Sequence, residues 1–408
     1  MKPTIIHHII LFVAMACCLH HASAQVAQKI DLTGDGQLLG LGRQHIVESS
    51  ILPEDRPVII SLPVGYNTTY ARYPVLYVLD GLQNIKHTVG TVELLAEAGL
   101  IPPVIVVGIE SLDRNRDLTP SNAGQEVHGG TGNAGIPQSG GAPEFLRFLS
   151  EELIPFVDAN YRTHPFRILE GHSFGGLFGT YTLMESPGLF DAFIIEAPAL
   201  WWNKEEMTAQ AKIFFPSIEN LNKTVYFGIG GGDGWGMRQE LTRYVEVIKQ
   251  HAPENFRWLH EEVGDEGHMA SRLILNYRGL RFIFSDLSGR EDLIDDFNAV
   301  AFLSTEEHLK NKYGEMARRP AEDYFNLVSE LVNKDNDLGA ITVLERASEA
   351  YPAYIGLLTH LAKLYEKTGQ KEQAIDAYLL GVEVSKKYKQ GQEEDLLLEV
   401  SRLRKTKE

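Results

Sequence analysis

The stretch that decides the fold is FRILEGHSFGGLFG, residues 166–179. It begins as a short apolar strand, turns sharply at Ser173 and continues with the spacing of a helix. Gly171 and Gly175 stand two residues before and two residues after the serine. This G-x-S-x-G arrangement is typical of a nucleophile elbow, a turn so tight that we expect a side chain at either glycine to clash. The pattern predicts that the Ser173 hydroxyl is lifted above the edge of a sheet.

Strands and helices alternate on both sides of this stretch. Residues 45–64 read as two strands joined by a turn, and later apolar runs are continuous, as expected of strands buried on both faces. These runs are 74–79, 103–109, 192–197 and 224–229, with helical spacing at 87–98 and 143–158. The alternation predicts an α/β fold with a central, mostly parallel sheet. Residues 119–143 carry no periodicity, and irregular stretches of that length are usually functional or mobile.

The composition is that of a globular protein with room for more than one domain. The chain has 408 residues, of which 44% are hydrophobic. Its net charge of −17 argues against nucleic acid or an anionic membrane as the main partner, because both need a basic face. We predict three segments: a signal peptide at 1–24, an α/β domain at 25–288, and a helical domain at 289–408.

The first 24 residues have the features of a secretory signal peptide. Lys2 precedes an apolar run at 5–19, and the sequence Ala22-Ser23-Ala24 before Gln25 matches a cleavage site. The run is too short for a comfortable membrane span. The mature chain is therefore expected to be exported, into a periplasm or out of the cell, with no membrane span. Lipid attachment at Cys17 is an alternative, although the residues before it match a lipobox poorly.

Both cysteines, Cys17 and Cys18, lie inside this signal peptide. The mature chain is therefore expected to have no disulfide, no thiol nucleophile and no thiolate metal site.

The C-terminal segment contains a repeat of 34 residues. Large and small side chains recur with this period at Tyr324, Leu327, Leu331, Ala340, Leu344 and Ala347, and again at Leu358, Leu361, Tyr365, Ala374, Tyr378 and Gly381. The period and its pattern resemble a tetratricopeptide repeat, with a further helix at 392–404 as a cap. Such repeats more often bind peptides or partner proteins than perform chemistry, and a purely structural role stays open.

A serine hydroxyl is a weak nucleophile and needs a base within hydrogen-bond reach. In the α/β folds that carry a nucleophile elbow, the order along the chain is serine, acid, histidine. His268 is the candidate base, because it lies in a loop before a late helical run. His251 and His260 are also downstream of Ser173, but their spacing fits a helix end and a strand.

The acid is less narrowly defined by the sequence. Asp233 follows the strand at 224–229, where this order of elements places the acid. It also lies in a glycine-rich run that could be an ordinary turn. Asp265, Glu266 and Glu240 are the alternatives.

An oxyanion hole needs two donors aimed at the developing negative charge. The first is the N–H of Phe174, directly after the serine, and the second is predicted at Leu82, in the loop after the strand at 74–79. The neighbouring Asp80 is expected to cap that turn rather than to act as a catalytic acid.

Three further residues are candidates for contacting a substrate. Arg116 lies in the loop that also contains Arg114 and Asp117, while Trp201 and Trp202 follow the strand at 192–197. They could line an acyl or aromatic pocket. The alternative is structural: an Arg–Asp pair that holds the loop, and two packed tryptophans.

Several blocks of the chain together resemble a known family. They are YPVLYVLDG (73–81), IVVGIESLDRNRDLTP (105–120), FLRFLSEELIPFVDANYRT (145–163), GHSFGG (171–176), PALWW (198–202) and GHMASRLILNYRGLRFIF (267–284). The set is similar to the putative esterase family of α/β-hydrolases, the esterase D type that includes S-formylglutathione hydrolase and the siderophore esterases. The likeness covers residues 40–286.

The resemblance implies a carboxylic-ester hydrolase with Ser173 as nucleophile and His268 as base, acting on a small ester or a siderophore-type lactone. No metal or organic cofactor is expected, because acyl transfer to water needs none. The alternative is a catalytically degenerate hydrolase scaffold whose repeats bind a partner protein.

Overall fold

The computed structural model describes residues 40–122, 138–234, 236–288 and 297–405. The strands are β1 (Arg43–Val47), β2 (Arg56–Ser61), β3 (Tyr73–Leu79), β4 (Ile105–Ile109), β5 (Thr163–His172), β6 (Ala192–Glu196), β7 (Thr224–Gly230) and β8 (Arg257–Val263). The helices up to the end of the sheet region are α1 (Gly81–Glu97), α2 (Arg114–Asp117), α3 (Ala142–Phe148), α4 (Ile154–Asn160), α5 (Phe174–Glu185), α6 (Trp202–Ser217), α7 (Met237–His251) and α8 (Ser271–Ile283). The C-terminal helices are α9 (Ala299–Tyr313), α10 (Ala321–Asn333), α11 (Asp337–Ala350), α12 (Ile355–Lys367), α13 (Lys371–Tyr388) and α14 (Glu393–Lys405). A π-helical turn, Leu149–Leu153, joins α3 to α4.

The strands form one eight-stranded sheet in the order β1-β2-β4-β3-β5-β6-β7-β8. β1 pairs antiparallel with β2, and β2 with β4, whereas all pairs from β4 to β8 are parallel. The carboxyl ends of β3, β5, β7 and β8 therefore meet at one edge of the sheet, which is where ligands bind in open α/β folds. The predicted mostly parallel α/β architecture is confirmed.

Helices cover both faces of the sheet. Because side chains alternate along a strand, Tyr77 and Leu79 of β3 enter the core formed with α3 to α7, whereas Leu76 and Val78 enter the core formed with α1 and α8. Burial on both faces explains why this strand reads as a continuous apolar run.

The described part of the C-terminal region, residues 297–405, is helical, as predicted. Helix α9 contributes to two cores. Phe302 packs with α10 to α14, whereas Leu309 and Tyr313 pack in the core that the sheet forms with α1 and α8. The Tyr313 ring lies 4.8 Å from that of Phe166, near the start of β5. α9 therefore joins the helical region to the end of the sheet opposite the serine turn.

Some predictions fall outside the described residues. They are the signal peptide at 1–24 with its cleavage site, Cys17 and Cys18, and most of the irregular stretch at 119–143. The domain boundary at 288 and 289 lies at the edge of such a gap and stays a prediction.

Candidate active site

Ser173 lies in a strained turn between β5 and α5. Its φ of 60° and ψ of −113° are unusual for a residue with a side chain, and such conformations persist only where neighbouring bonds hold them. Here the Ser173 N–H donates a hydrogen bond to the main-chain oxygen of Glu196 at 2.9 Å. The main-chain oxygen of Ser173 in turn accepts hydrogen bonds from the N–H groups of Leu177 and Ala199, at 2.9 and 3.0 Å. The turn predicted from the sequence is therefore present and held on three sides.

The glycines of the elbow differ in how much space they have. A Cβ added at Gly171 would overlap the main-chain oxygen of Gly175, so that position requires glycine. At Gly175 itself the nearest atom would be Leu79 Cβ at 3.5 Å, an ordinary contact. The prediction that a side chain at Gly175 would clash is therefore wrong. The second crowded position is Gly176, where a Cβ would lie 2.8 Å from the Glu196 oxygen.

Asp233 and His268 are joined by a hydrogen bond at the carboxyl ends of β7 and β8. His268 Nδ1 lies 2.8 Å from Asp233 Oδ2, and the Asp233 side chain is fully buried. The glycines at 230–232 make this approach possible, because a Cβ at each of them would overlap a main-chain oxygen of residues 264–266. The glycine run packs against the loop that carries the histidine, and so the two side chains meet.

The other residues considered for the base and the acid make different contacts. His251 is the last residue of α7 and His260 lies within β8, as their spacing suggested. Glu240 is in α7, where burial raises its pKa to about 6. Asp265 is exposed, and Glu266 accepts the Gly232 N–H through its main-chain oxygen. The only carboxylate found hydrogen-bonded to His268 within the described residues is that of Asp233.

The residue before the serine connects the elbow to the histidine loop. His172 Nε2 lies 2.8 Å from the main-chain oxygen of His268, and the two rings are 4.4 Å apart between centroids. The same oxygen accepts from Ser271 Oγ at 3.2 Å, and Arg272 Nε donates to the Met269 oxygen at 2.9 Å. His268 therefore lies directly beside the elbow.

The two predicted oxyanion donors both lie in the first turn of a helix. Phe174 is the first residue of α5 and Leu82 the second of α1, so neither N–H has an acceptor within its helix. The Leu82 backbone lies near the carboxyl group of Glu110, where it lowers the pKa of that group against the larger, opposite effect of burial. An ester oxygen bound at the Leu82 N–H would therefore lie close to Glu110.

The side chain of Asp80 does not cap the turn before α1, contrary to the prediction. Asp80 precedes α1 in a left-handed conformation, with φ of 52°. Both of its carboxylate oxygens accept from Arg114 Nε at 3.0 Å. Arg114 also donates to the His172 oxygen at 3.1 Å, and its guanidinium lies 5.1 Å from the centre of the Phe174 ring. Asp80 thus holds a cation beside the elbow.

Arg116 makes different contacts from Arg114, although they are only two residues apart. Its guanidinium binds Glu54 at 2.9 and 3.0 Å and Asp117 at 2.7 Å. Positions i and i+2 do not share a face of a helical turn, which explains why the two arginines diverge. Arg114, rather than Arg116, is the arginine in contact with Phe174.

Both tryptophans contact the residue after the serine. The rings of Trp201 and Trp202 lie 5.7 and 5.4 Å from that of Phe174. Trp202 is fully buried and donates Nε1–H to the Ser121 oxygen at 3.1 Å. Trp201 is half-buried. Of the two, Trp201 has surface available to a ligand.

Two buried carboxyl groups beneath the elbow escaped the sequence analysis. Glu170 and Glu196 lie on β5 and β6, each 2% or less exposed, and Asn276 Nδ2 donates to Glu170 at 2.9 Å. Burial raises the pKa of both carboxyl groups, and each raises the cost of ionising the other. The sequence signal for this site is Glu170, an acidic residue in an otherwise apolar strand. It stands two positions before His172, so the side chains of Glu170 and His172 lie on the same face of β5.

No metal centre was predicted. The described residues contain no group of three or more His, Cys, Asp or Glu side chains that could hold a metal ion.

Taken together, the parallel sheet, the elbow and the Asp233–His268 pair define an α/β-hydrolase fold. The family model described as "Putative esterase" matches residues 49–271, which is more than half of the chain. The chain belongs to that family and is an enzyme that hydrolyses ester bonds.

Individual relatives agree with this assignment. The chain is 28% identical over 228 residues to the ferri-bacillibactin esterase BesA of Bacillus subtilis, covering 52% of this chain and 79% of that one. It is 33% identical over 163 residues to the siderophore enterobactin esterase of Emericella nidulans, covering 36% and 52%. The crystal structure of an IroE-like serine hydrolase from Shewanella oneidensis has the same fold, with a TM-score of 0.62, 24% identity, and coverage of 76% and 99%.

Proposed function

We propose that the protein is a serine carboxylic-ester hydrolase in which Ser173 is the nucleophile, His268 the general base and Asp233 the residue that orients His268. The observation that carries the proposal is the 2.8 Å hydrogen bond between Asp233 and His268 Nδ1, beside the strained turn that presents Ser173. Because this bond uses the proton on Nδ1, the neutral imidazole of His268 presents an unprotonated Nε2 that can accept a proton.

In the first half of the reaction, His268 Nε2 takes the proton of Ser173 Oγ as that oxygen attacks the ester carbonyl carbon. The carbonyl oxygen becomes negative and is stabilised by the N–H groups of Phe174 and Leu82. Asp233 stabilises the imidazolium that forms. The carbon–oxygen bond to the alcohol then breaks, and the alcohol leaves with the proton from His268, so that an acyl group remains on Ser173.

In the second half, water replaces the alcohol. His268 takes a proton from the water molecule, whose oxygen attacks the acyl carbon, and the same two N–H groups hold the negative oxygen. Collapse of this intermediate returns the proton to Ser173 Oγ and releases the carboxylic acid. The cycle consumes one water and needs no further reactant.

The substrate class we propose is a small ester or a siderophore-type lactone. The two relatives named as esterases of ferri-bacillibactin and enterobactin support it. The surroundings of Ser173 are also compatible, because the exposed part of Trp201 and the guanidinium of Arg114 flank Phe174. An aromatic surface next to a cation favours substrates with rings and oxygen-rich groups.

The ends of the chain carry two further proposals. The features of residues 1–24 support export after cleavage near Ala24 and Gln25. Among the described residues, no helix is both long and apolar enough to cross a membrane.

The second proposal concerns the helical region. Helices α10 and α12 begin 34 positions apart, at Ala321 and Ile355, and α11 and α13 do the same, at Asp337 and Lys371. This spacing supports a tetratricopeptide-like pair of repeats, which we propose as a surface for a peptide or protein partner.

The experiment that tests the proposed reaction compares Ser173→Ala with the wild type on p-nitrophenyl butyrate and on a trilactone of the enterobactin type. Ser173→Ala should abolish turnover of both esters and keep the wild-type thermal stability. Ser150→Ala is the matched control, because Ser150 lies in the π-helical turn and donates to the main-chain oxygen of Arg147. Undiminished turnover in Ser173→Ala would reject Ser173 as the nucleophile, whereas a wild type that turns over neither ester would favour the scaffold alternative.

A further inference from the structure

We propose that His172 is a positioning residue for His268: as a neutral imidazole it donates Nε2–H to the main-chain oxygen of His268 and holds that loop against the elbow. The inference rests on the proposed function and adds a residue to it. It assigns a role to the variable position of the G-x-S-x-G motif that directly precedes the nucleophile.

The hydrogen bond fixes the tautomer of His172. A carbonyl oxygen can only accept, so the Nε2 atom that lies 2.8 Å from the His268 oxygen must carry the proton. His172 is 5% exposed, so water competes little for this bond. The bond links two positions that are 96 residues apart in sequence but adjacent at the carboxyl edge of the sheet.

The surroundings keep His172 uncharged. Burial lowers its pKa well below the ordinary value, and the nearby His268, Arg272 and Arg114 lower it further. Glu170 on β5 and Glu196 on β6 share the face of the sheet on which His172 lies, and burial raises their pKa values, which favours their neutral forms. A neutral His172 avoids repulsion of the imidazolium that forms at His268, 4.4 Å away between ring centroids.

Two hydrogen bonds at the ends of neighbouring strands then set the geometry. The main-chain oxygen of Glu196, at the end of β6, accepts a hydrogen bond from the Ser173 N–H at 2.9 Å. This bond fixes the main chain of the nucleophile. His172, at the end of β5 and paired in register with Glu196, fixes the main chain of the base. Asp233 holds the ring of that base from the other side. The base is thereby held relative to the serine through its main chain and its side chain.

The test uses two amides of different length at position 172. In His172→Gln the amide nitrogen can take the place of Nε2 and still donate to the His268 oxygen. In His172→Asn the amide nitrogen reaches only the place of Nδ1, and the bond is lost. We expect His172→Gln to keep kcat for p-nitrophenyl butyrate within about threefold of the wild type, and His172→Asn to lose about 30- to 100-fold in kcat with little change in KM.

A second readout is the rate at which a fluorophosphonate labels Ser173. It should fall in His172→Asn by the same factor as kcat, and recover in His172→Gln. Equal rates for the two variants, whether both normal or both impaired, would overturn the positioning role while leaving Ser173 as nucleophile. Absence of labelling at Ser173 in the wild type would overturn the proposed function, and the positioning role with it.

A measurement on the wild type covers the case in which His172→Asn does not fold. Nitrogen NMR shifts of the imidazole rings distinguish the two neutral tautomers and the charged form. We expect His172 to stay in the Nε2–H form between pH 5 and pH 9, as the bond to the carbonyl requires. An Nδ1–H tautomer, or protonation near the ordinary histidine pKa, would contradict the proposal.

Discussion

Asp233 Oδ2 accepts the Nδ1 proton of His268 at 2.8 Å, and no part of the Asp233 side chain is exposed to solvent. Charged acceptors make stronger hydrogen bonds than neutral ones, and burial removes the water that would compete. The pair therefore sets both the tautomer of His268 and the direction of its free nitrogen.

The first prediction follows from that bond. In Asp233→Asn the amide can donate to Nδ1, so the proton moves to Nε2 and His268 can no longer accept from Ser173. We expect kcat to fall about ten-thousand-fold while KM changes little. Asp265→Asn is the matched control, since Asp265 is exposed in the neighbouring loop. Similar activity of the two variants in steady-state kinetics would contradict the assigned role of Asp233.

The second prediction concerns the glycines of the elbow. Gly171→Ala places a methyl group on the main-chain oxygen of Gly175, which cannot move without opening the turn. We expect a loss of about 3 kcal/mol or more in the free energy of unfolding. Gly175→Ala adds a methyl group in ordinary contact with Leu79, and should stay within about 1 kcal/mol of the wild type. Chemical denaturation measures both values, and equal losses would contradict the geometry of the turn.

The third prediction tests Leu82 as an oxyanion donor. The Glu110 carboxyl group lies near the Leu82 backbone and, when ionised, would repel a negative oxygen placed there. Glu110→Gln removes that charge, so kcat/KM for p-nitrophenyl butyrate should rise several-fold at pH values at which Glu110 is ionised. Burial raises the Glu110 pKa above its usual range, so the gain should shrink as the pH falls and Glu110 becomes protonated. A pH-independent kcat/KM ratio near one would argue against Leu82 as the second donor.

The fourth prediction concerns the buried carboxyl groups beneath the elbow. Burial raises the pKa of Glu170 to about 8, so the folded state holds a proton that the unfolded state releases at a lower pH. Stability from this group is present below the ordinary glutamate pKa and is lost as the pH rises towards 8. Glu170→Gln should therefore flatten the fall of Tm between pH 5 and pH 8, and raise Tm by a few degrees at pH 8.

The control for that experiment is Glu383→Gln, on the exposed side of α13. It should keep the wild-type dependence of Tm on pH. An unchanged dependence in Glu170→Gln as well would show that Glu170 does not carry the buried proton.

The backbone of the site could be predicted because its signals are local. The apolar run before Gly171, the glycine pair and the helical spacing after Ser173 all lie within 14 consecutive residues. Strands such as β3 could be recognised because burial on both faces requires a continuous apolar run. The prediction of a clash at Gly175 is wrong because the space around that residue depends on Leu79, which belongs to another strand.

The side-chain contacts of the site could not be predicted, because they are set by how distant loops pack. The sequence does not identify the acid among Asp233, Asp265 and Glu266, because Asp233 reaches His268 only through the packing of the glycine turn against the main chain of residues 264–266. The same holds for Glu110 and Leu82, which meet only because β4 pairs with β3. His172 lies inside the quoted motif, yet its partner is 96 residues away.

The most direct test of the central claim is to locate the covalent adduct. The wild-type protein would be treated with a fluorophosphonate, digested and analysed by mass spectrometry, with His268→Ala and Asp233→Asn treated in parallel. We predict one adduct, on Ser173, which forms rapidly in the wild type and at least a hundredfold more slowly in both variants. An adduct on another residue, or labelling of Ser173 that is equally fast without His268, would contradict the account.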